Sequence, residues 1–90
     1  MTGQKPAKPV NITGRIIAAD FDRYDRVKEI MLETEDFQQY VIGHSRCSRQ
    51  LFSLLLEEVI VAGCITGNDE YGRPIIQIQD FSPVDYSTLK

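Results

Sequence analysis

The chain has 90 residues, with ten Lys or Arg against thirteen Asp or Glu, which gives a formal net charge of −3 and a pI of about 5.0. This length accommodates one domain, and the acidic balance excludes a protein that coats nucleic acid through bulk positive charge. No apolar run approaches the ~20 residues of a membrane span, and the first ten residues contain no signal-peptide core. We therefore expect a cytoplasmic protein with no membrane partner.

The first three predicted elements are strands. Residues 10–18 alternate apolar and polar side chains, as a half-buried strand does, and the polar stretch DFDRYDR follows as a loop. Residues 27–35 also alternate, with Met31 on the outer face, and residues 37–43 form a third strand. The short turn at Glu35 and Asp36 predicts that these two strands form a hairpin.

The hydrophobic period then changes to that of a helix. From position 47 onward, apolar residues recur at helical spacing, which predicts about three turns that end by Glu58. A hydroxyl oxygen can accept a hydrogen bond from a free N–H of the first turn, so we expect Ser45 or Ser48 to cap this helix.

Two further strands follow, on either side of the turn-forming stretch NDEYG. Pro74 is tolerated because it stands at the start of the last strand and not in its middle. The predicted order is strand, strand, strand, helix, strand, strand. The predicted domain covers residues 10–84, between a flexible basic tail (1–9) and a short C-terminal tail (85–90).

Two glycines occur in matching apolar contexts, ITGRI around Gly14 and VAGCI around Gly63. Both fall at inward positions of predicted strands. A small closed barrel needs strands that coil sharply, and a glycine permits a bulge or a tight bend where a Cβ would clash. The alternative is that each glycine is only a weak point in an open sheet.

With these phrases and this element order, residues 10–84 resemble the OB-fold (oligonucleotide/oligosaccharide-binding) superfamily. The last strand pair, GCITGNDEYGRPIIQIQDF, is similar to the closing hairpin of OB domains in single-strand-binding proteins and in anticodon-binding parts of aminoacyl-tRNA synthetases. The resemblance implies an all-β fold with one helix, a five-stranded Greek-key OB barrel of order β-β-β-α-β-β. It also implies a ligand surface across the second and third strands and the loops beside them.

That surface offers aromatic rings for stacking on bases and cations for phosphates, the two things that single-stranded nucleic acid needs. The candidate nucleic-acid-binding residues are Arg23, Tyr24, Arg26, Lys28, Tyr40, Tyr71 and Arg73. Carboxylates interleave with these cations, and residues 10–84 carry seven Lys or Arg against twelve Asp or Glu. An alternative for Tyr24 and Tyr71 is that each ring caps an end of the core while its hydroxyl stays in water.

Other candidate sites are weaker. Arg46 and Arg49 stand at the predicted helix start, where they either help to bind an anion or are simply solvated. His44, Cys47 and Cys64 are three soft ligands, one short of a structural zinc site, so we predict no metal and no other cofactor. We find no nucleophile motif and no glycine-rich phosphate loop, and therefore expect no enzymatic activity.

Two functions remain open. The first is a non-enzymatic module that binds single-stranded DNA or RNA across the second and third strands. The second is a module for protein–protein interaction or oligomerisation, with a protein partner or a homodimer, that makes no contact with nucleic acid. It would use apolar side chains expected outside the barrel, namely Ile17, Met31, Ile42 and Ile75.

Overall fold

The structure is a computed structural model that describes residues 8–84. Residues 1–7 and 85–90, which include most of the two predicted tails, lie outside the described residues. The elements in chain order are β1 (Lys8–Phe21), β2 (Val27–Glu33), β3 (Gln39–Ile42), α1 (Ser48–Phe52), β4 (Glu58–Asn68) and β5 (Pro74–Pro83). The predicted order of five strands and one helix is confirmed.

The five strands close into a barrel in the order β1-β2-β3-β5-β4, with β4 returning to β1. Strand β1 takes part twice, because residues 8–15 pair with β4 and residues 15–21 pair with β2. The β3–β5 pairing is parallel and short, with two residue pairs, whereas the other pairings are antiparallel. This closed all-β barrel is the predicted architecture and is compatible with an OB-like fold.

The core lies inside the barrel and is built by the alternation of the strands. Every second side chain points inward, so Ile16, Leu32, Val61 and Ile78 are at most 1% exposed. Leu51 of α1 is also fully buried and joins this core cluster. Burial of each such aliphatic side chain contributes about 1.5–3 kcal/mol.

Gly14 and Gly63 are required by close backbone approaches, as the matching phrases predict. A Cβ on Gly14 would lie 2.7 Å from the carbonyl oxygen of Glu33, where β1 meets β2. A Cβ on Gly63 would overlap the carbonyl oxygen of Gln77 on β5, beside a register shift between Ala62 and Gly63. Glycine therefore lets neighbouring strands pass more closely than any other residue could.

The helix is much shorter than predicted: α1 has five residues, about one turn, and not three turns. The chain leaves the helical path because the N–H of Leu56 donates to the carbonyl of Ile16 on β1 (2.7 Å), and Leu56 itself has a φ of +69°. The predicted serine cap is also wrong. Cys47 occupies the N-cap position, without a hydrogen bond from its side chain, and the Ser48 hydroxyl instead accepts from the N–H of Ser45 (2.8 Å).

The third strand starts later than predicted, at Gln39. Phe37 is a turn residue with a φ of +66°, and its side chain is 79% exposed. Strand β3 pairs Val41 with Met31, so Val41 shares the outer face, and Ile42 packs against the core. Ile42 is therefore not part of an exposed apolar surface, contrary to the sequence-based expectation.

We predict that Gly63→Ala destabilises the barrel by about 2–3 kcal/mol, because the new methyl group forces β4 and β5 apart. Urea unfolding followed by circular dichroism measures the change. Gly67→Ala is the matched control, since a Cβ on Gly67 meets no atom within 4 Å and is expected to change stability by no more than about 0.5 kcal/mol. Equal stabilities for the two variants would contradict the close approach.

Candidate nucleic-acid interface

The outer face of the barrel carries a row of apolar residues across four strands. The register aligns Ile17 with Met31, Met31 with Val41, and Val41 with Ile75. Ile17, Val41 and Ile75 are half-buried, but Met31 is only 6% exposed. Met31 lies on the outer face as predicted, but it is covered and is not available as an exposed apolar contact.

The cover comes from the loop between β4 and β5, residues 69–73 (the β4–β5 loop). The Asp69 carboxylate accepts hydrogen bonds from the backbone N–H groups of Tyr71 (2.9 Å) and Arg73 (2.8 Å). The N–H of Gly72 donates to the carbonyl of Asp69 (3.0 Å), and Gly72 has a φ of +80°. A turn followed by one left-handed residue is a common hairpin connection, and here an aspartate side chain braces it.

Residues 22–26, between β1 and β2 (the β1–β2 loop), repeat the same arrangement. Asp22 accepts from the N–H groups of Tyr24 (2.8 Å) and Arg26 (3.0 Å), and Asp25 takes the left-handed position with a φ of +63°. The two loops read DRYDR and DEYGR, so both have the form Asp-x-Tyr-x-Arg. The shared backbone explains the shared sequence: the aspartate braces the turn, and the tyrosine and arginine stand at equivalent places on it.

The third hairpin loop, residues 34–38, has the same backbone without the tyrosine and the arginine. Thr34 replaces the aspartate and accepts from the N–H of Gln38 (3.1 Å), while Phe37 takes the left-handed position. The Tyr and Arg residues are therefore not demanded by the hairpin itself. They are a property of the β1–β2 and β4–β5 loops.

Both tyrosine rings are exposed to solvent, Tyr24 by 62% and Tyr71 by 74%. The alternative that these rings cap the core is therefore wrong. The guanidinium groups of Arg23 and Arg26 each lie 5.2 Å from the centroid of the Tyr24 ring, and that of Arg73 lies 5.1 Å from the centroid of the Tyr71 ring. Such cation–π contacts contribute about 0.5–1 kcal/mol at exposed sites and orient the rings.

All three nitrogen atoms of the Arg73 guanidinium group contact other side chains. Its Nε and Nη2 atoms each lie 2.8 Å from Oδ2 of Asp69, and Nη1 lies 3.2 Å from the sulfur of Met31. The Arg73 side chain is 34% exposed and that of Asp69 is 16% exposed. This guanidinium is thus committed to bracing the loop and covering Met31, which limits what it can offer to a phosphate.

The pKa of the Asp69 carboxyl reflects this bracing. Partial burial alone would raise that pKa, but hydrogen bonds from the Arg73 N–H, the Arg73 guanidinium and the Tyr71 N–H outweigh it, together with the positive charge of Arg73. The net effect lowers the pKa below its ordinary value of 3.8. The ionised form of Asp69 is the one that the folded loop requires.

The cations at the other loop are held more loosely. Arg26 has its Nε 4.0 Å from Asp22, and its side chain is 75% exposed. Lys28 has its Nζ 3.9 Å from Asp20, and its side chain is 60% exposed. Exposed pairs of this kind are worth about 0–1 kcal/mol, so both side chains can turn to another anion at little cost. Arg23 is also exposed.

Tyr40 lies apart from the other candidate residues, on the inner side of β3. It pairs with Leu32, a fully buried residue, and it packs against the core. Side chains alternate between the two faces of a strand, so Tyr40 points to the interior while Val41 points to the outer face. The other six candidates lie on the two loops or, for Lys28, on β2 beside them.

A groove of about 330 Å³ lies between the β4–β5 loop and the outer face. Val41 gives it an apolar floor, because Met31 is only 6% exposed beneath Arg73, and carboxylates stand along its rim. Its lining consists of Ala19, Glu29, Met31, Val41, Asp69, Glu70, Tyr71 and Arg73. An apolar floor beside an exposed ring suits a flat, partly apolar ligand such as a base.

The remaining sequence candidates are not brought together. Arg46 lines a separate surface depression with Gln77 and Gln79, next to a helix of one turn. The thiol of Cys47 contacts the carbonyl of Gln79 (3.6 Å). Within residues 8–84, no group of three or more His, Cys, Asp or Glu side chains is arranged to hold a metal ion, and no helix is long and apolar enough to cross a bilayer.

Comparisons with protein-family models, with curated proteins and with solved structures find no match for this chain. Its function is therefore inferred from its own residues. The sequence contained one signal that the expectations above did not use, the repeated Asp-x-Tyr-x-Arg pattern. That pattern identifies both loops and assigns the aspartates a structural role.

We predict that Asp69→Asn reduces stability at neutral pH and that the difference from the native chain shrinks as the pH falls. The folded-state pKa of Asp69 lies below its unfolded value of 3.8, so its contribution is complete above that value and is lost as the pH falls through the lower, folded-state pKa. Thermal unfolding between neutral and strongly acidic pH measures this. Asp22→Asn is the matched comparison and should cost less, because the Asp22 pair with Arg26 is longer and more exposed. A pH-independent difference for Asp69→Asn would contradict the role of its charge.

Proposed function

We propose that this protein binds single-stranded nucleic acid, DNA or RNA, and acts by binding and not by catalysis. The proposed surface is the outer face of β2 and β3 between the β1–β2 and β4–β5 loops, as in OB-fold domains. The observation that supports it best is the pair of exposed tyrosine rings, each with an arginine over it, on two matching loops that border one face.

The topology suits an extended ligand. The β1–β2 loop leads into the start of β2, and the β4–β5 loop lies over the outer face, where Arg73 contacts Met31 and the groove beside Tyr71 reaches Glu29. Strand β2 has seven residues and spans about 20 Å. A strand of a few nucleotides can cross the apolar row with a base on each ring, which agrees with the ~4–16 nucleotides that OB folds occupy.

Stacking is energetically feasible at both rings. A base stacked on an aromatic side chain contributes about 1–3 kcal/mol, whereas an exposed cation–π contact contributes about 0.5–1 kcal/mol. A base can therefore replace a guanidinium on the Tyr24 ring, and the displaced Arg23 or Arg26 becomes available to a phosphate. Arg73 stays fixed by Asp69, so Tyr71 offers a stacking surface that is already oriented.

The distribution of charge determines where phosphates can bind and how strongly the affinity should depend on salt. Residues 10–84 have a formal charge of −5, and three carboxylates border the groove. Phosphates are then expected at the loosely held cations Arg23, Arg26 and Lys28, outside the groove. With about three such contacts, the logarithm of the affinity should fall against the logarithm of salt concentration with a slope of about −2, shallower than for strongly basic proteins.

A second function, protein–protein interaction or self-association, is favoured by exposed large apolar side chains that the proposed nucleic-acid surface does not use. The examples are Phe21, Phe37, Phe52, Leu56 and Ile60. Exposed apolar surface of this kind suits contact with another protein. Sedimentation showing a dimer, with no response to oligonucleotides at low salt, would favour this function over nucleic-acid binding.

We predict that Tyr71→Ala and Tyr24→Ala each weaken the binding of a labelled mixed-sequence oligonucleotide, through loss of stacking, by about 1–3 kcal/mol, or roughly 5- to 150-fold. Fluorescence anisotropy at low and at physiological salt measures the affinity. Tyr71→Phe keeps the ring and should bind nearly as the native chain does.

The matched control is Phe37→Ala, which removes an exposed aromatic ring from the third hairpin loop, where no arginine accompanies it. It should leave the affinity unchanged. Circular dichroism confirms that each variant is folded. Absence of binding at low salt, or equal losses in the Phe37 and Tyr71 variants, would count against the proposed surface.

A further inference from the structure

We propose that the groove beside Tyr71 selects guanine over thymine or uracil, through the carboxylates of Glu29 and Glu70. This inference rests on the proposed function and specifies which base that site prefers.

Glu29 and Glu70 are the two groove carboxylates that remain available. Both side chains are exposed and line the groove. Within residues 8–84, neither forms a hydrogen bond or an ion pair, whereas Asp69 in the same lining is occupied by Arg73 and Tyr71. The groove therefore presents two carboxylates whose oxygens have no hydrogen-bond donor among the described residues, beside a ring suited to stacking.

The chemistry of carboxylates determines what can occupy such a groove. A carboxylate repels phosphate and accepts hydrogen bonds from N–H groups, with two oxygens that can take a pair of parallel donors. The phosphate backbone is thus directed away from the groove and towards the cations of the β1–β2 loop. A base stacked on Tyr71 then has its edge over the groove, with Val41 beneath it.

The four bases differ in what they offer to a carboxylate. Guanine presents two adjacent donors, N1–H and the N2 amino group, which match the two oxygens. Adenine and cytosine each present an amino group next to a ring nitrogen acceptor. One carboxylate oxygen then accepts a hydrogen bond, while the other faces the lone pair of the ring nitrogen, which repels it. Thymine and uracil present one N–H between two carbonyl oxygens, and these oxygens repel a carboxylate on both sides of that N–H. Guanine is therefore the best match and thymine or uracil the poorest.

A metal ion is a less suitable occupant. Hard cations such as Ca²⁺ and Mg²⁺ need several oxygen ligands that converge on one point. Among the described residues, no three His, Cys, Asp or Glu side chains converge in this way. The stacking ring and the apolar floor also serve no purpose for a cation, but both suit a base.

The test compares labelled nine-nucleotide oligo-dT probes whose central base is guanine, inosine, cytosine or thymine, in anisotropy titrations with the full chain. We expect the guanine probe to bind about tenfold more tightly than the all-thymine probe, as a good bidentate contact to a base provides. Inosine lacks the N2 amino group and should bind with intermediate affinity. Equal affinities for all four probes would overturn the inference.

Variants identify the groups responsible. The double substitution Glu29→Gln with Glu70→Gln should remove the guanine preference and leave binding of the all-thymine probe equal or tighter, because two repulsive charges are lost. Glu35→Gln with Glu57→Gln is the control, since it changes the net charge equally at exposed positions outside the groove. A guanine preference that survives the groove substitutions would overturn the assignment to Glu29 and Glu70.

The two proposals fail in different ways. If the oligonucleotides bind and Tyr71→Ala weakens binding, but guanine is not preferred, the base selectivity is wrong and the proposed function stands. If no probe binds at low salt, both proposals are wrong.

Discussion

Close contact between strand backbones is the constraint on which the rest of this structure depends. In this five-stranded barrel β4 passes close to β5 at Gly63 and β1 passes close to β2 at Gly14, and a Cβ would collide with a carbonyl oxygen at either place. Closure in turn sets the register that aligns Ile17, Met31, Val41 and Ile75 on the outer face. It also leaves the two braced loops beside that face.

The acidic composition of the chain has a structural meaning as well as an electrostatic one. Asp22 and Asp69 are hydrogen-bond acceptors for the turns, and each holds a tyrosine and an arginine at equivalent positions. A count of charges treats these aspartates as repulsive groups, although they are the reason that the rings and guanidinium groups are presented at all. Net charge alone therefore misses the structural role of these two aspartates.

The sequence predicts the barrel better than it predicts which side chains lie on its inner and outer faces. Alternation and paired glycines were sufficient for five strands and their closure, and turn residues located the loops that carry Tyr24 and Tyr71. The sequence predicts β3 from residue 37 and offers Tyr40 to the outer surface, but the left-handed backbone of Phe37, which no residue pattern announces, breaks the alternation, and Tyr40 packs against the core. The short helix and the cover over Met31 depend on contacts between distant segments, the Leu56 bond to β1 and the Arg73 contact with the sulfur of Met31. Local patterns contain no information on such contacts.

The short parallel pairing of β3 with β5 is a place where few backbone hydrogen bonds hold the barrel closed, here called the seam. Two residue pairs and the bond from the Gly43 N–H to the Ile76 carbonyl (2.9 Å) join these strands, whereas β4 and β5 are paired along most of their length. Local opening of a barrel begins where few backbone bonds must break. The seam lies beside Val41 on the outer face, so a ligand that lies across β3 and β5 would hold these two strands together. Any molecule that contacts both β3 and β5 would therefore oppose this local opening.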